Sequence, residues 1–296
     1  MNGDFRDRTA ILIGSLGMEA LEAASVAVYG LGGVGAACAM DLARAGVGRL
    51  YVVDFDRVEE SNLNRLYFGY REHVGLAKTD AFARSAKAVN PCIEIVERRI
   101  FFSGDEAVEI IDSGSAYHAD CVDSLNAKAN LLAALCASGH SFISSMGTAG
   151  RLKPERLKLG SIWESRGCPL AKSLRTRLKR LGVNADFPVV WSDEPPVKPV
   201  QRGILKASPE AQVETRLEAQ RDVQPDAQRS RQLDVGGGAA SGAGGTGGED
   251  GSVYDEAAER PQGRERLVQG SSPFVPQTAG HIMAAWIVRR IVADAS

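Results

Sequence analysis

The 296-residue sequence lacks several things that would have narrowed its function at once. It has five cysteines, Cys38, Cys92, Cys121, Cys136 and Cys168, and no C-x-x-C pair. An odd number without pairs argues against a disulfide framework and against a structural zinc site, and favours reduced thiols. No run approaches the ~20 apolar residues that span a bilayer. The early stretch MNGDFRDRTAILIG is charged and lacks a long apolar core, so no secretory leader is expected and a cytosolic location is. The four histidines, His73, His118, His140 and His281, show no ligand spacing. A formal net charge of −2 gives no global sign of nucleic-acid binding, although a local basic patch remains open. There is no internal repeat.

What is present is an alternation of apolar strand-like runs and helical stretches over the first 150 residues, the pattern of an α/β fold with a mainly parallel sheet flanked by helices. The runs are 25–30, 49–56, 93–100, 119–124 and 140–147. Helices are expected over 34–45, 77–89, 104–113 and 126–138. Their apolar character suits parallel strands covered on both faces. Beyond 150, RLKPERLKLGSI reads as a turn and strand, CPLAKSLRTRLKRLG as a basic helix of about three turns, and PVVWSDEPP as a strand stopped by prolines. Residues 197–266 contain GGGAASGAGGTGGEDG and few large apolar side chains, and read as a flexible low-complexity insertion. The expected organisation is therefore one domain over 1–196, interrupted by 197–266 and completed by a strand and amphipathic helix over 267–296. Ala279, Ile282, Met283, Trp286, Ile287 and Ile291 mark that helix's apolar face.

Residues 29–35, YGLGGVG, form a glycine turn between a strand and a helix. Gly30, Gly32 and Gly35 satisfy G-x-G-x-x-G, and Gly33 adds a fourth glycine. Absent side chains let backbone approach a phosphate, and the helix N-terminus supplies N–H donors. Asp54 closes the next strand, where an acid accepts hydrogen bonds from ribose hydroxyls. Taken alone, this motif makes NAD the default ligand. The following text, DFDRVEESNLNRLYF and then GLAKTDAF, adds Asp56 and the polar or cationic groups Asn64, Arg65 and Lys78, and a triphosphate calls for added cations. Asp123, in CVDS, is expected at the carboxyl edge of the sheet and suits Mg²⁺. The plainer readings, Lys78 as a solvated helix residue and Asp123 as a helix N-cap, stay open here.

GLGGVG, DFDRVEESNLNR, GLAK, NP and CVDS together resemble the ThiF/MoeB/E1-like superfamily of ATP-dependent carboxylate activators, over roughly residues 5–150. The resemblance implies ATP and Mg²⁺ as cofactors, with Gly32 and Gly33 against the nucleotide and Asp54 on the ribose. It further implies Asn64 and Arg65 at the phosphates, Lys78 stabilising charge during adenylyl transfer, and Asp123 holding the metal. It also implies a homodimer in which an N-terminal arginine, here Arg8, reaches the partner's nucleotide. The segments SMGTAGRLKPERLKLGSI, GCPLAKSLRTRLKRLGV with VVWSDEPP, and SPFVPQTAGHIMAAW resemble the tRNA threonylcarbamoyladenosine dehydratases within that superfamily. That branch implies tRNA as substrate. The basic helix residues Lys172, Arg175, Arg177, Lys179 and Arg180, with Arg151, Lys153, Arg156 and Lys158 before them, become candidates for phosphate contact. Some relatives point to a cysteine desulfurase or sulfur-acceptor system as a further partner. Adenylylation of a ubiquitin-like or sulfur-carrier protein, and a non-enzymatic nucleotide-sensing scaffold, are the competing readings. Cys168 before Pro169 reads as a helix cap, with a redox site or thioester nucleophile as the alternative.

Overall fold

In the computed structural model, the described residues are 4–101, 107–112, 114–197 and 270–296. Chain segments on both sides of the 197–266 call contribute to one compact unit. Nearly all of that call lies outside the described residues.

A seven-stranded sheet runs in the order β3-β2-β1-β4-β5-β7-β6. Its strands are β1 (Ser25–Tyr29), β2 (Arg49–Val53), β3 (Glu94–Arg98), β4 (Tyr117–Asp120), β5 (Ser141–Ser145), β6 (Leu157–Ser161) and β7 (Pro188–Ser192). All neighbouring pairs are parallel except β6 with β7, which places an antiparallel strand at the edge. The helices are α1 (Asp7–Ala23), α2 (Gly33–Ala45), α3 (Lys78–Val89), α4 (Leu125–Ser138), α5 (Pro169–Arg180) and α6 (Phe274–Asp294).

Strand alternation divides the core. Val26, Val28, Leu50 and Val52 point to one face, where Leu21 of α1, much of α2, Phe82 of α3 and Met283, Ile287 and Ile291 of α6 cover them. Ala27, Tyr29, Tyr51 and Val53 point to the other, covered by Leu131, Leu132 and Leu135 of α4 and Leu174 and Leu178 of α5. Burial on both faces explains why the strands read as near-continuous apolar runs. Of the expected apolar face of α6, Ala279, Met283, Ile287 and Ile291 are buried, and Ile282 and Trp286 pack partly against the same core. No helix among the described residues is long and apolar enough to cross a membrane.

Four expectations need correction. The strand expected over 49–56 stops at Val53, because Asp54 turns its carboxylate back onto the backbone. The strand expected over 119–124 stops at Asp120, so Asp123 lies in the loop before α4. The helix expected over 104–113 is absent from described residues 107–112, which form turns. There Asp112 binds Arg49 at 2.6 Å and accepts a bond from Ser115 at 2.6 Å, a local competition with helix geometry. Residues 270–273 form no strand; Gly270 accepts from the Gly150 N–H and Ser272 donates to the Arg151 carbonyl. Among the described α-helices and strands, one has no counterpart in the sequence reading: α1, kinked at Gly14, where φ is +73°.

Candidate nucleotide site

The order of strands reverses between β1 and β4, which is where open α/β sheets bind ligands beyond their carboxyl ends. Gly30 leaves β1 with φ +87°, a left-handed conformation open to glycine. Its N–H donates to the Val53 carbonyl at 2.8 Å. Gly35, one turn into α2, could not carry a side chain: a Cβ there would stand 1.8 Å from the Gly30 carbonyl oxygen. That contact brings the start of α2 tightly against the turn. Gly32 caps α2 with open space around its Cβ position, and the first-turn N–H groups of α2 have no intrahelical acceptor. Open backbone at a helix N-terminus is suited to an anion. Gly33 serves the protein itself. A Cβ there would lie 2.9 Å from Pro276 Cβ and 3.3 Å from Arg65 Cγ.

Asp54 is buried and accepts the Leu31 N–H at 2.6 Å and the Asp56 N–H at 2.8 Å. Burial pushes its carboxyl above the ordinary carboxylate range, against the pull of the Lys78 ammonium and both N–H donors. Lys78 begins α3 and is 7% exposed, which removes the solvated-helix reading. Its Nζ lies 2.9 Å from Asp56 Oδ2 and 3.7 Å from Asp54 Oδ1. Lys78, Asp54 and Asp56 thus form one knot tied to the glycine turn through Leu31.

Asn64 and Arg65 are held by distant chain. Asn64 donates to the Ser271 carbonyl at 2.8 Å, and Gln277 Nε2 donates to the Arg65 carbonyl at 3.3 Å. Arg65 Nη1 donates to Asn64 Oδ1 at 3.0 Å and to the Ser61 carbonyl at 2.9 Å. The Arg65 stem runs beside Gly33, so its guanidinium belongs to the margin of the cradle.

Asp123 is exposed, and the N-cap of α4 is Ser124 rather than Asp123. The loop carrying Asp123 abuts the turn: a Cβ on Gly30 would lie 3.1 Å from the Cys121 carbonyl oxygen. Beneath that loop is a fully buried network that sequence reasoning missed. Lys128 Nζ donates to Asp120 Oδ2 at 2.5 Å and to Ser144 Oγ at 3.2 Å. Ser144 donates to the same carboxylate oxygen at 2.6 Å, and Asp120 Oδ1 accepts the Val122 N–H at 3.1 Å. One signal was available: Lys128 is the lone charge in the mostly apolar stretch AKANLLAAL.

Arg8 is not brought to this site within the chain. It is exposed on α1, two residues from Arg6, whose side chain packs at Gly46 beyond the C-terminal end of α2. The length of α2, about 20 Å, separates that end from the glycine turn. The basic helix also divides. Lys172, Lys179 and Arg180 are exposed, with Lys179 Nζ 5.5 Å from the Trp163 ring centre. Arg175 bonds inward to the Ser165 carbonyl at 2.7 Å, and Arg177 has its Nε buried. Arg156 and Lys158 both pair with Asp193. Cys168 is buried at the start of α5 and makes no side-chain cap bond there.

The open glycine turn at the start of α2, the buried Asp54 and the Lys78 ammonium beside it thus stand together at the carboxyl edge of the sheet. The ThiF family model matches residues 6–154, and the chain belongs to that family. Among curated relatives, it is 34% identical over 190 residues to the tRNA threonylcarbamoyladenosine dehydratase of Bacillus subtilis, covering 64% of this chain and 75% of that protein. It is 32% identical over 182 residues to the enzyme of the same name from Escherichia coli, covering 62% and 66%. The fold matches the crystal structure of the Escherichia coli enzyme in complex with ATP with a TM-score of 0.70 at 22% identity, over 98% of this chain and 94% of that one.

Proposed function

We infer that the protein is an ATP-dependent tRNA threonylcarbamoyladenosine dehydratase. The observation that carries this reading is the 34% identity to the Bacillus subtilis enzyme across three quarters of that protein. The knot of Lys78, Asp54 and Asp56 beside the glycine turn supports it.

A free carboxylate is a poor electrophile, because its leaving group would be oxide. In the proposed reaction the threonylcarbamoyl carboxylate on adenosine 37 attacks the α-phosphate of ATP, forming an acyl-adenylate and releasing pyrophosphate. The carbamoyl group of the same modification then attacks the acyl carbon and expels AMP. The product is cyclic and lighter by one water, and the intramolecular geometry favours closure. Asp54 accepts ribose hydroxyls, the α2 amides and Arg65 with Asn64 receive phosphate oxygens, and Lys78 turns from Asp56 toward the charge that develops. This is catalysis by positioning and charge neutralisation, with no side-chain nucleophile.

Mg²⁺ fits the donors present. Among the described residues no cluster of three or more His, Cys, Asp or Glu side chains could hold a metal by itself. An exposed Asp123 beside the cradle suits an ion that takes most ligands from phosphates and water. Bound there, the ion would neutralise phosphate charge. Lys172, Lys179 and Arg180 form the proposed tRNA-phosphate face. A homodimer is proposed too: α1 exposes Ile11, Leu12 and Leu16 at 76%, 83% and 70%, on the helix that carries Arg8.

Nucleoside mass spectrometry of modified tRNA incubated with the protein, ATP and Mg²⁺ tests the reading. Conversion of open to cyclic threonylcarbamoyladenosine is expected. An unchanged open form, with pyrophosphate released only when a diglycine-ended carrier is added, would replace it with the carrier-activator reading.

A further inference from the structure

Two strands along from the glycine turn, the loop after β5 contains a charge that no described residue balances. Arg151 is 3% exposed. Its Nε donates to the Glu194 carbonyl at 3.0 Å and its Nη1 to the Gly147 carbonyl. Its Nη2 is buried and has no hydrogen-bond partner. Nearby acids are committed elsewhere. The Glu194 carboxylate accepts the N–H groups of Leu152 and Lys153 at 3.2 and 2.9 Å, and Asp193 is taken by Arg156 and Lys158. A buried guanidinium with no counter-charge among the described residues and with an idle donor is strongly unfavourable, so its place in the fold asks for a reason.

The surroundings supply one. A Cβ on Gly147 would lie 3.6 Å from Arg151 Nη1, 3.6 Å from Cys168 Sγ and 3.5 Å from Leu170 Cβ. The half-exposed Gly147 therefore lies between the guanidinium and the start of α5. That helix begins at Pro169 and has no side-chain cap, so its first-turn N–H groups add donors and a positive dipole end. The place lies at the carboxyl edge of the sheet, on the strand next to β4 and its Asp123 loop. Further along α5, Lys172, Lys179 and Arg180 are exposed to a polyanion.

We propose that Arg151 and the N-terminal turn of α5 form the substrate-side oxyanion site, holding an oxyanion of the molecule whose carboxylate is activated. The proposal rests on the function inferred above. Two groups of that substrate share this chemistry: the threonylcarbamoyl carboxylate and a phosphodiester beside adenosine 37.

The test compares wild type, Arg151→Gln and Arg151→Lys. Binding is measured for modified tRNA, for the free threonylcarbamoyladenosine nucleoside and for an unmodified anticodon stem-loop, with ATP binding and thermal midpoint as controls. Losing one charge-assisted contact should weaken modified tRNA by about 10- to 100-fold in Arg151→Gln. ATP affinity should be unchanged and Arg151→Lys should recover most of the loss. A parallel loss for the nucleoside identifies the carboxylate as the guest; a loss for the stem-loop alone identifies the phosphodiester. Binding of modified tRNA unchanged in folded Arg151→Gln, while wild type still makes the cyclic product, overturns the site and leaves the function standing. Wild type making no cyclic product overturns the function. Should Arg151→Gln fail to fold, hydrogen exchange of the wild type decides: substrate-dependent protection of 147–152 supports the site, and its absence overturns it.

Discussion

Lys128→Met is the perturbation on which the structure speaks most sharply. Lys128 and Asp120 are both 0% exposed, and their side chains meet at 2.5 Å under the Asp123 loop. Methionine fills similar volume and leaves the Asp120 carboxylate buried with only Ser144 and the Val122 N–H as donors. Breaking a buried pair from one side costs about 3–5 kcal/mol, since an uncompensated charge remains. For a domain of this size that is a fall of roughly 10 °C in thermal midpoint. The companion Lys128→Met/Asp120→Asn removes both charges and keeps an acceptor for Val122. It should recover about 2 kcal/mol or more of the loss. Denaturant unfolding of the four members of the cycle gives the coupling directly. A single variant costing under about 1 kcal/mol, or effects additive within about 0.5 kcal/mol, would refute the claim that this network is a coupled buried ion pair. Because Asp120 Oδ1 also holds Val122 in place, Lys128→Met should slow tRNA cyclisation beyond what the folded fraction explains.

Three further outcomes follow from the same geometry. Gly35→Ala drives a Cβ to within 1.8 Å of backbone and should unfold or markedly destabilise the protein, whereas Gly32→Ala, with open space, should fold normally and weaken ATP; equal midpoints by circular dichroism would contradict this. Burial raises the Asp54 carboxyl, and ribose hydroxyls would favour its ionised form. Adenosine binding should therefore release a proton and tighten as pH rises above the ordinary carboxylate value of 3.8 through the Asp54 pKa of the free protein; calorimetry showing neither would count against Asp54 as the ribose acceptor. His281 on α6 bonds Asp41 on α2 at 2.5 Å, and this carboxylate raises the imidazole above 6.5. Its contribution is present below 6.5 and is lost as pH rises through the raised pKa. Screening at this half-exposed pair keeps it under about 1 kcal/mol. The midpoint gap between wild type and His281→Gln should thus close toward alkaline pH, and a gap that widens would reverse the assignment.

The parts of the site legible in the sequence are those built from contiguous chain. A glycine turn and the acid that ends the next strand are written within 25 residues, and backbone sterics alone fix their meaning. Lys78 was legible as a cation but not as a buried one, since its burial comes from Asp54 and Asp56 folding back over the start of α3. Asp120, Lys128 and Ser144 come from two strands and a helix: the β4–β5 pairing sets Asp120 beside Ser144, and α4 brings Lys128 to them. The basic run on α5 read as one patch, yet Arg175 faces the backbone of residues 162–165 while Lys172 and Lys179 face solvent. Spacing gave the helix; packing chose which cations remain available. Helix α1 escaped notice because Gly14 kinks it and Ile11, Leu12 and Leu16 face solvent, so no single buried stripe marks its period.

Gly33 has a packing role that the motif alone does not show. A fourth glycine in the turn looks like further room for phosphate. In the structure its absent side chain makes room for Pro276 and the Arg65 stem, so the start of α6 packs into the start of α2. The same part of the chain holds Asn64 through the Ser271 carbonyl and Arg65 through Gln277 on its backbone carbonyl. Those partners are separated by 207 and 212 positions in sequence. The C-terminal segment therefore braces Asn64 and Arg65, the proposed phosphate-side residues, as well as covering the sheet. A long segment can interrupt the chain before it because both ends of the interruption are tied to one residue. The Val197 N–H donates to the Gly150 carbonyl at 2.7 Å, and the Gly150 N–H donates to the Gly270 carbonyl at 2.8 Å. Whatever lies between is spanned at a single backbone position, and the geometry of Asn64 and Arg65 is set by the chain after it.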